Sequence, residues 1–129
     1  MQMRFISSVV VLAVLAAARP VAGQACAPPP NPLFEFEVER AAQYVGDSTL
    51  MPRPAGERFV DMRANPRALV VQFVVDTLGQ PVERSFQVLQ APSASTVDRV
   101  KAALPRWRFA PAVHRGCKVP QLLQTAVEH

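Results

Sequence analysis

Glycine is scarce in this chain: five residues in 129, at Gly23, Gly46, Gly56, Gly79 and Gly116. Spacing this wide leaves no glycine-rich loop able to wrap backbone amides around a phosphate, which excludes the common nucleotide-binding motifs. Histidine is scarcer still, with only His114 and the terminal His129. A Ser-His-acid hydrolase is not indicated, because no Gly-x-Ser-x-Gly elbow occurs and Ser85, Ser93 and Ser95 are accounted for by strand and cap roles. His114 and Cys117 have the spacing of half a metal site, but a zinc site needs three or four ligands and only His129 is left to supply one. No metal, no cofactor and no catalytic constellation is expected. Long apolar runs are also missing. The longest, Phe5 to Ala18, has 14 residues, interrupted by Ser7 and Ser8, against roughly 20 for a bilayer span.

That short run is itself informative. Arg4 precedes it, Arg19 and Pro20 close it, and small residues follow at Val21, Ala22, Gly23 and Ala25. This is the pattern of a secretory signal peptide over residues 1–25, with cleavage after Gly23 or after Ala25; an uncleaved N-terminal anchor is the other reading. Cleavage would remove Arg4 and Arg19 and leave 12 basic and 10 acidic residues, a net charge of +2 rather than the +4 of the whole chain. A nucleic-acid surface is therefore not indicated.

Only two cysteines are present, Cys26 and Cys117. In an exported chain an even count points to a disulfide. Two alternatives stay open: a lipid-modified Cys26, though the preceding Gly23-Gln24-Ala25 lacks the usual leucine, and two free thiols.

Proline is abundant, with 13 residues. Residues 26–33 open with Cys-Ala-Pro-Pro-Pro-Asn-Pro and read as a stiff, polyproline-like lead-in. Leu33 to Val38 then alternates, Phe34, Phe36 and Val38 opposing Glu35, Glu37 and Glu39. This predicts a strand with one wet face, running on toward Val45. Residues 46–67 are broken by Gly46-Asp47-Ser48, Pro52, Pro54 and Asn65-Pro66, with at most a short element around Glu57 to Met62.

From Ala68 the pattern sharpens. Leu69, Val71, Phe73 and Val75 share one face and Val70, Gln72 and Val74 the other, which predicts a buried central strand. Asp76-Thr77-Leu78-Gly79-Gln80 is a hairpin turn, Asp76 accepting backbone N–H groups and Gly79 supplying positive φ. Val82 to Gln90 returns, with Val82, Phe86 and Val88 inward. Ser95 is the expected N-cap, with Asp98 at the capping-box position, and Val97, Val100 and Leu104 form the apolar stripe of a short helix that Pro105 ends. In Arg106-Trp107-Arg108-Phe109, alternation places Trp107 and Phe109 inward and the arginines out; a ligand patch of stacked guanidinium and indole is the alternative. Cys117 to Val127 forms the last strand, with Pro120 at an edge or bulge. The predicted fold is α+β: a small antiparallel sheet with one helix packed on one face.

Residues 68–128, the best-matched part of a predicted domain over 34–129, resemble the C-terminal domain of TonB-family proteins. Three pieces carry the resemblance: Phe73-Val74-Val75-Asp76-Thr77-Leu78-Gly79-Gln80-Pro81-Val82, the helix leading into Arg106-Trp107-Arg108-Phe109-Ala110-Pro111-Ala112, and Arg115-Gly116-Cys117-Lys118-Val119. Asp76, Gly79, Trp107, Phe109, Pro111 and Gly116 are its structural positions. The chain departs from the family in lacking the motor-coupling histidine of the anchor helix and any long proline-rich spacer; the four prolines of residues 28–32 reach only about 15–20 Å at polyproline rise. The resemblance implies a periplasmic, non-enzymatic module that captures an extended segment of an envelope or outer-membrane transport protein by β-strand addition. Val119, Gln121, Leu123, Thr125 and Val127, on the last strand, are the expected edge. A self-associating envelope protein, or an edge covered by Cys26 and its lead-in, are the other expectations.

Overall fold

The computed structural model describes residues 26–47 and 49–128. The expected signal segment and His129 lie outside them. Among the described residues the architecture is α+β: nine strands in small sheets and one principal helix. The main sheet has the order β1-β9-β4-β5, from Leu33–Phe34, Gln121–Glu128, Val70–Val75 and Pro81–Gln90, and β3 (Met51–Pro52) also pairs with β9. Pairing is antiparallel except for β1, which lies parallel to β9. Two two-stranded ribbons flank the sheet: β2 (Gln43–Tyr44) with β6 (Phe109–Ala110), and β7 (Ala112–His114) with β8 (Cys117–Val119). Helix α1, Ala94–Ala103, continues into a 3₁₀ turn at Leu104–Arg106.

β4 forms where the sequence reads as a doubly apolar strand. Val71, Phe73 and Val75 are fully buried beneath Val100, Leu104 and Trp107, while Val70 on the opposite face is also buried. The β4–β5 turn is set by Asp76, whose Oδ1 accepts the N–H of Leu78 and of Gln80, both at 2.9 Å. Gly79 has φ +78° and its carbonyl accepts the Phe109 N–H at 2.8 Å. A Cβ at this position would run into the Phe109 carbonyl oxygen. Gly79→Ala is therefore expected to destabilise by at least the roughly 1–2 kcal/mol of left-handed strain, with the backbone collision in addition. Urea unfolding of the variant measures it; a loss below 0.5 kcal/mol, about the scatter of an ordinary surface substitution, would mean the turn relaxes freely.

Several expectations are corrected. The predicted strand from Leu33 to Val38 stops at Phe34, and Glu35–Glu37 form a 3₁₀ turn. The turn is closed locally, the Phe34 N–H donating to Glu37 Oε2 at 2.7 Å. The helix begins two residues earlier than predicted. Ser93, not Ser95, is the N-cap, accepting the Thr96 N–H at 3.3 Å, and Thr96 rather than Val97 is the buried residue of its first turn. On β5, Val88 lies opposite buried Val71 yet is itself exposed, because β5 is the outer strand of the sheet; two register shifts also break the β4–β5 ladder. At one of them Ser85 Oγ substitutes for a backbone partner, accepting the Val74 N–H at 2.8 Å. The last strand is split by Pro120 into β8 and β9, since proline has no N–H to carry the ladder across.

Candidate functional site

The expected edge strand is not an edge. β9 is paired with β4 along its length, Phe73 opposite Leu123 and Val71 opposite Thr125. On its other side, β1 covers Gln121 and Leu122, and β3 covers Val127 and Glu128. The side chains named for partner contact are buried: Val119 and Val127 nearly so, and Gln121, Leu123 and Thr125 completely. They point into the helix-covered core, because alternation along β9 puts every odd-numbered residue on that face. Gln121 Oε1 accepts the Ala42 N–H at 2.7 Å and Thr125 Oγ1 accepts the Arg53 N–H at 3.0 Å. Their polarity serves to satisfy buried backbone groups, not a ligand.

The backbone of β9 tells a different story from its side chains. The Val127 N–H donates inward to Leu69, while the Pro120 and Ala126 carbonyls accept from Leu33 and Arg53 on the outer side. In an antiparallel pair such alternation is general, so the even-numbered residues of β9 turn their N–H and C=O groups outward. β1 and β3 cover the two ends, and between them, among the described residues, Gln124 has no strand beside it.

An apolar groove of about 290 Å³ opens at this gap, on the sheet face away from α1. Its floor includes Val70, Leu89 and Leu122, and its rim includes Phe34, Phe36 and Phe59. Phe36 and Phe59 are 85% and 88% exposed, and the rings of Phe34 and Phe36 stack with centroids 5.4 Å apart. Aromatic side chains left this open on a small domain mark an interaction surface more often than a packing accident. Phe36 belonged to the predicted strand, but the turn at Glu35–Glu37 swings it outward. Phe59 lies in the stretch whose prolines hid any periodicity, so no sequence signal pointed to it.

Arg58 anchors the groove wall and was equally invisible in the sequence. It is 3% exposed. Its Nε donates to the Arg53 carbonyl at 3.1 Å, its Nη2 to the Ala42 carbonyl, and its Nη1 lies 3.5 Å from Glu35 Oε2. Burial pushes its pKa below the usual arginine value, and the Glu35 carboxylate works against that shift. Arg58→Met should cost about 2–3 kcal/mol by stranding two buried carbonyls. Thermal unfolding monitored by circular dichroism measures it; a fully stable variant would show that water replaces the guanidinium there.

A second, wider cleft of about 420 Å³ lies between α1 and the segment after β2, lined by Tyr44, Leu50, Arg99, Ala103, Arg106 and Trp107. Trp107 is 2% exposed and belongs to the core cluster with Phe73 and Phe109. Arg108 folds back onto the chain, its Nη1 donating to the carbonyls of Pro105 and Trp107, both at 2.8 Å. These contacts do not assemble a guanidinium–indole ligand patch. Burial, followed by the nearby Asp47 charge, raises the Tyr44 pKa. Among the described residues no group of three or more His, Cys, Asp or Glu is placed to hold a metal, and no helix is long and apolar enough to cross a membrane.

Cys26 and Cys117 are joined in a disulfide, with Cα atoms 5.5 Å apart. The bond ties the start of the lead-in to β8, and Leu33 N–H donates to the Pro120 carbonyl at 3.0 Å. Gly116, at φ +74°, and Arg115, at φ +52°, make the β7–β8 turn that presents Cys117. Pro111 is half-buried between β6 and β7. No protein-family model matches this chain, and no curated protein matches its sequence at a significant level.

Proposed function

We propose that this chain is a non-enzymatic, periplasmic interaction module of TonB C-terminal type, which binds an extended peptide of an envelope or outer-membrane transport protein by β-strand addition. The observation that carries the proposal is the groove beside β9: outward-facing backbone groups at Gln124 next to an apolar trough rimmed by exposed phenylalanines. Main-chain hydrogen bonds supply affinity in strand addition and pockets for alternate side chains supply specificity. The other open edge, β5, is a poorer acceptor. Two register shifts distort it, and it carries exposed Glu83 and Arg84, the devices by which natural edges resist pairing. The disulfide fits an oxidising compartment, as does the signal-like segment.

The exposed Phe36 and Phe59 also fit a second copy of the chain, which is the self-associating alternative. One experiment separates the two. A photo-crosslinking amino acid is placed at Phe36, at Phe59 and, as a control, at Arg84, and crosslinked peptides are identified from intact cells. Crosslinks from positions 36 and 59 to segments of outer-membrane transport proteins, without crosslinks from 84, support strand addition beside β9. Crosslinks only between copies of this chain would replace it with self-association.

A further inference from the structure

We infer that β1 is a built-in occupant of the peptide-binding edge of β9, latched by the Cys26–Cys117 bond, and that an extended peptide of similar chemistry takes its place when the bond is opened. The inference rests on the strand-addition reading above and identifies both the kind of segment bound and what controls access to it.

The chain itself shows what the edge accepts. Pro32 leads into Leu33 and Phe34, which lie parallel to β9 opposite Gln121 and Leu122. The occupant is therefore a parallel, extended, proline-led segment with an apolar residue followed by an aromatic one. It is held loosely for a strand that belongs to the fold. The pairing covers two residues. The next N–H to face β9 would be that of Glu35, but Glu35–Glu37 form a 3₁₀ turn, so β1 stops short of Gln124. Phe34 is 42% exposed and Phe36 is more so; neither ring is fully seated in the groove that they rim. A peptide that continued straight past this point would pair Gln124 and lay its side chains in the trough where β1 does not.

The latch follows from the tether. From Cys26 to Leu33 the chain is short and proline-rich, and its first three residues are exposed. Fixing its start to Cys117 keeps Leu33 close to Pro120, an effective concentration in the millimolar range or above for so short a linker. A competing peptide must exceed that value. When a dithiol reductant attacks the bond between exposed Cys26 and half-buried Cys117, the reductant is oxidised to its own disulfide and both cysteines become thiols. The two electrons and two protons balance, and the fold loses no other covalent link. The lead-in is then a free end, retained by one short pairing, the packing of Leu33 and the Glu35 contacts to Arg58 and Gly56.

The test uses a fluorescein-labelled synthetic peptide with the sequence of residues 29–37, titrated with the mature chain and read by fluorescence anisotropy. Three forms are compared: oxidised, reduced with dithiothreitol, and a Leu33→Pro variant with the disulfide intact. This variant removes the N–H donated to Pro120 and frees the edge without touching either cysteine. Near-UV circular dichroism from Trp107 verifies folding in each form. The expected result is binding at least tenfold tighter to the reduced chain and to Leu33→Pro than to the oxidised chain. Should reduction unfold the domain, Leu33→Pro decides alone. Equal, measurable affinity for all three folded forms would overturn the latch and leave strand addition standing. No binding to the folded Leu33→Pro chain at millimolar concentration would overturn both.

Discussion

Replacing Trp107 with alanine is expected to remove about 3–5 kcal/mol of stability, the range for truncating a large core aromatic. A domain of this size has only about 5–15 kcal/mol in all, so the variant should be largely unfolded in mild urea. The indole is 2% exposed and joins the two layers. Its ring centroid is 5.6 Å from that of Phe73 on β4 and 6.3 Å, edge-on, from that of Tyr44 on β2. The space left by alanine is bounded by strands on one side and α1 on the other, neither of which can move in without breaking its own pairing. Trp107→Phe is a sharp companion. The indole Nε1 is buried without a hydrogen-bond partner, so phenylalanine forfeits volume but no internal hydrogen bond. Its loss should be clearly smaller, roughly 1–3 kcal/mol by the cavity relation. Denaturant midpoints for the wild type and both variants give the ranking directly. An alanine variant as stable as the wild type would remove Trp107 from the core and return it to the role of a surface ligand contact.

Opening the disulfide is expected to cost a similar amount by a different route. The bond links residues 91 apart in sequence, and the loop-closure model gives about 4–5 kcal/mol for a loop of that length. Little of this comes from lost native packing, because residues 26–28 are exposed in the folded chain. The effect lies in the unfolded state, which gains conformational freedom when the loop is cut. Two consequences follow. The melting temperature of Cys26→Ser/Cys117→Ser should fall by roughly 15 °C or more. The denaturant dependence of the unfolding free energy should become steeper, since an uncrosslinked unfolded chain exposes more surface. Paired urea curves with and without reductant test both. A midpoint that does not move would show that the bond merely decorates the surface.

The two predictions concern the parts of the molecule that were most and least secure in the sequence. Doubly apolar β4, the Asp76–Gly79 turn, the amphipathic helix and the alternation that turns Trp107 inward are local patterns. Each is decided by residues within one or two turns or strand repeats of one another, and binary patterning at periods of 2 and 3.6 is enough to read them. Even the departures there are small. Ser93 takes the cap two residues before Ser95, accepting the Thr96 N–H, and a serine at either position can satisfy an orphan amide of a first helical turn.

The proposed binding surface was not legible in the same way. The alternation of Phe34, Phe36 and Val38 is a sound strand signal, yet Glu35–Glu37 close into a 3₁₀ turn, capped by Glu37 on the Phe34 N–H, and Phe36 is left in solvent. Arg58 and Phe59 sit among prolines that erase periodicity, and their fates differ completely: the charged residue is buried and the aromatic one exposed. Burial of Arg58 depends on carbonyls from Arg53 and Ala42 and on Glu35, partners up to 23 positions away that no local window relates.

The sequence by itself determined a small α+β domain, two cysteines able to pair and a last strand of alternating character, because these follow from composition and from spacing along the chain. Only the tertiary structure decided that this strand lies inside the sheet. β4 takes one side of it, and β1 and β3 close most of the other. Whether a strand is central or peripheral is a property of its neighbours, set by long-range pairing and by a covalent tie between residues 26 and 117. It leaves no periodic mark on the strand's own residues.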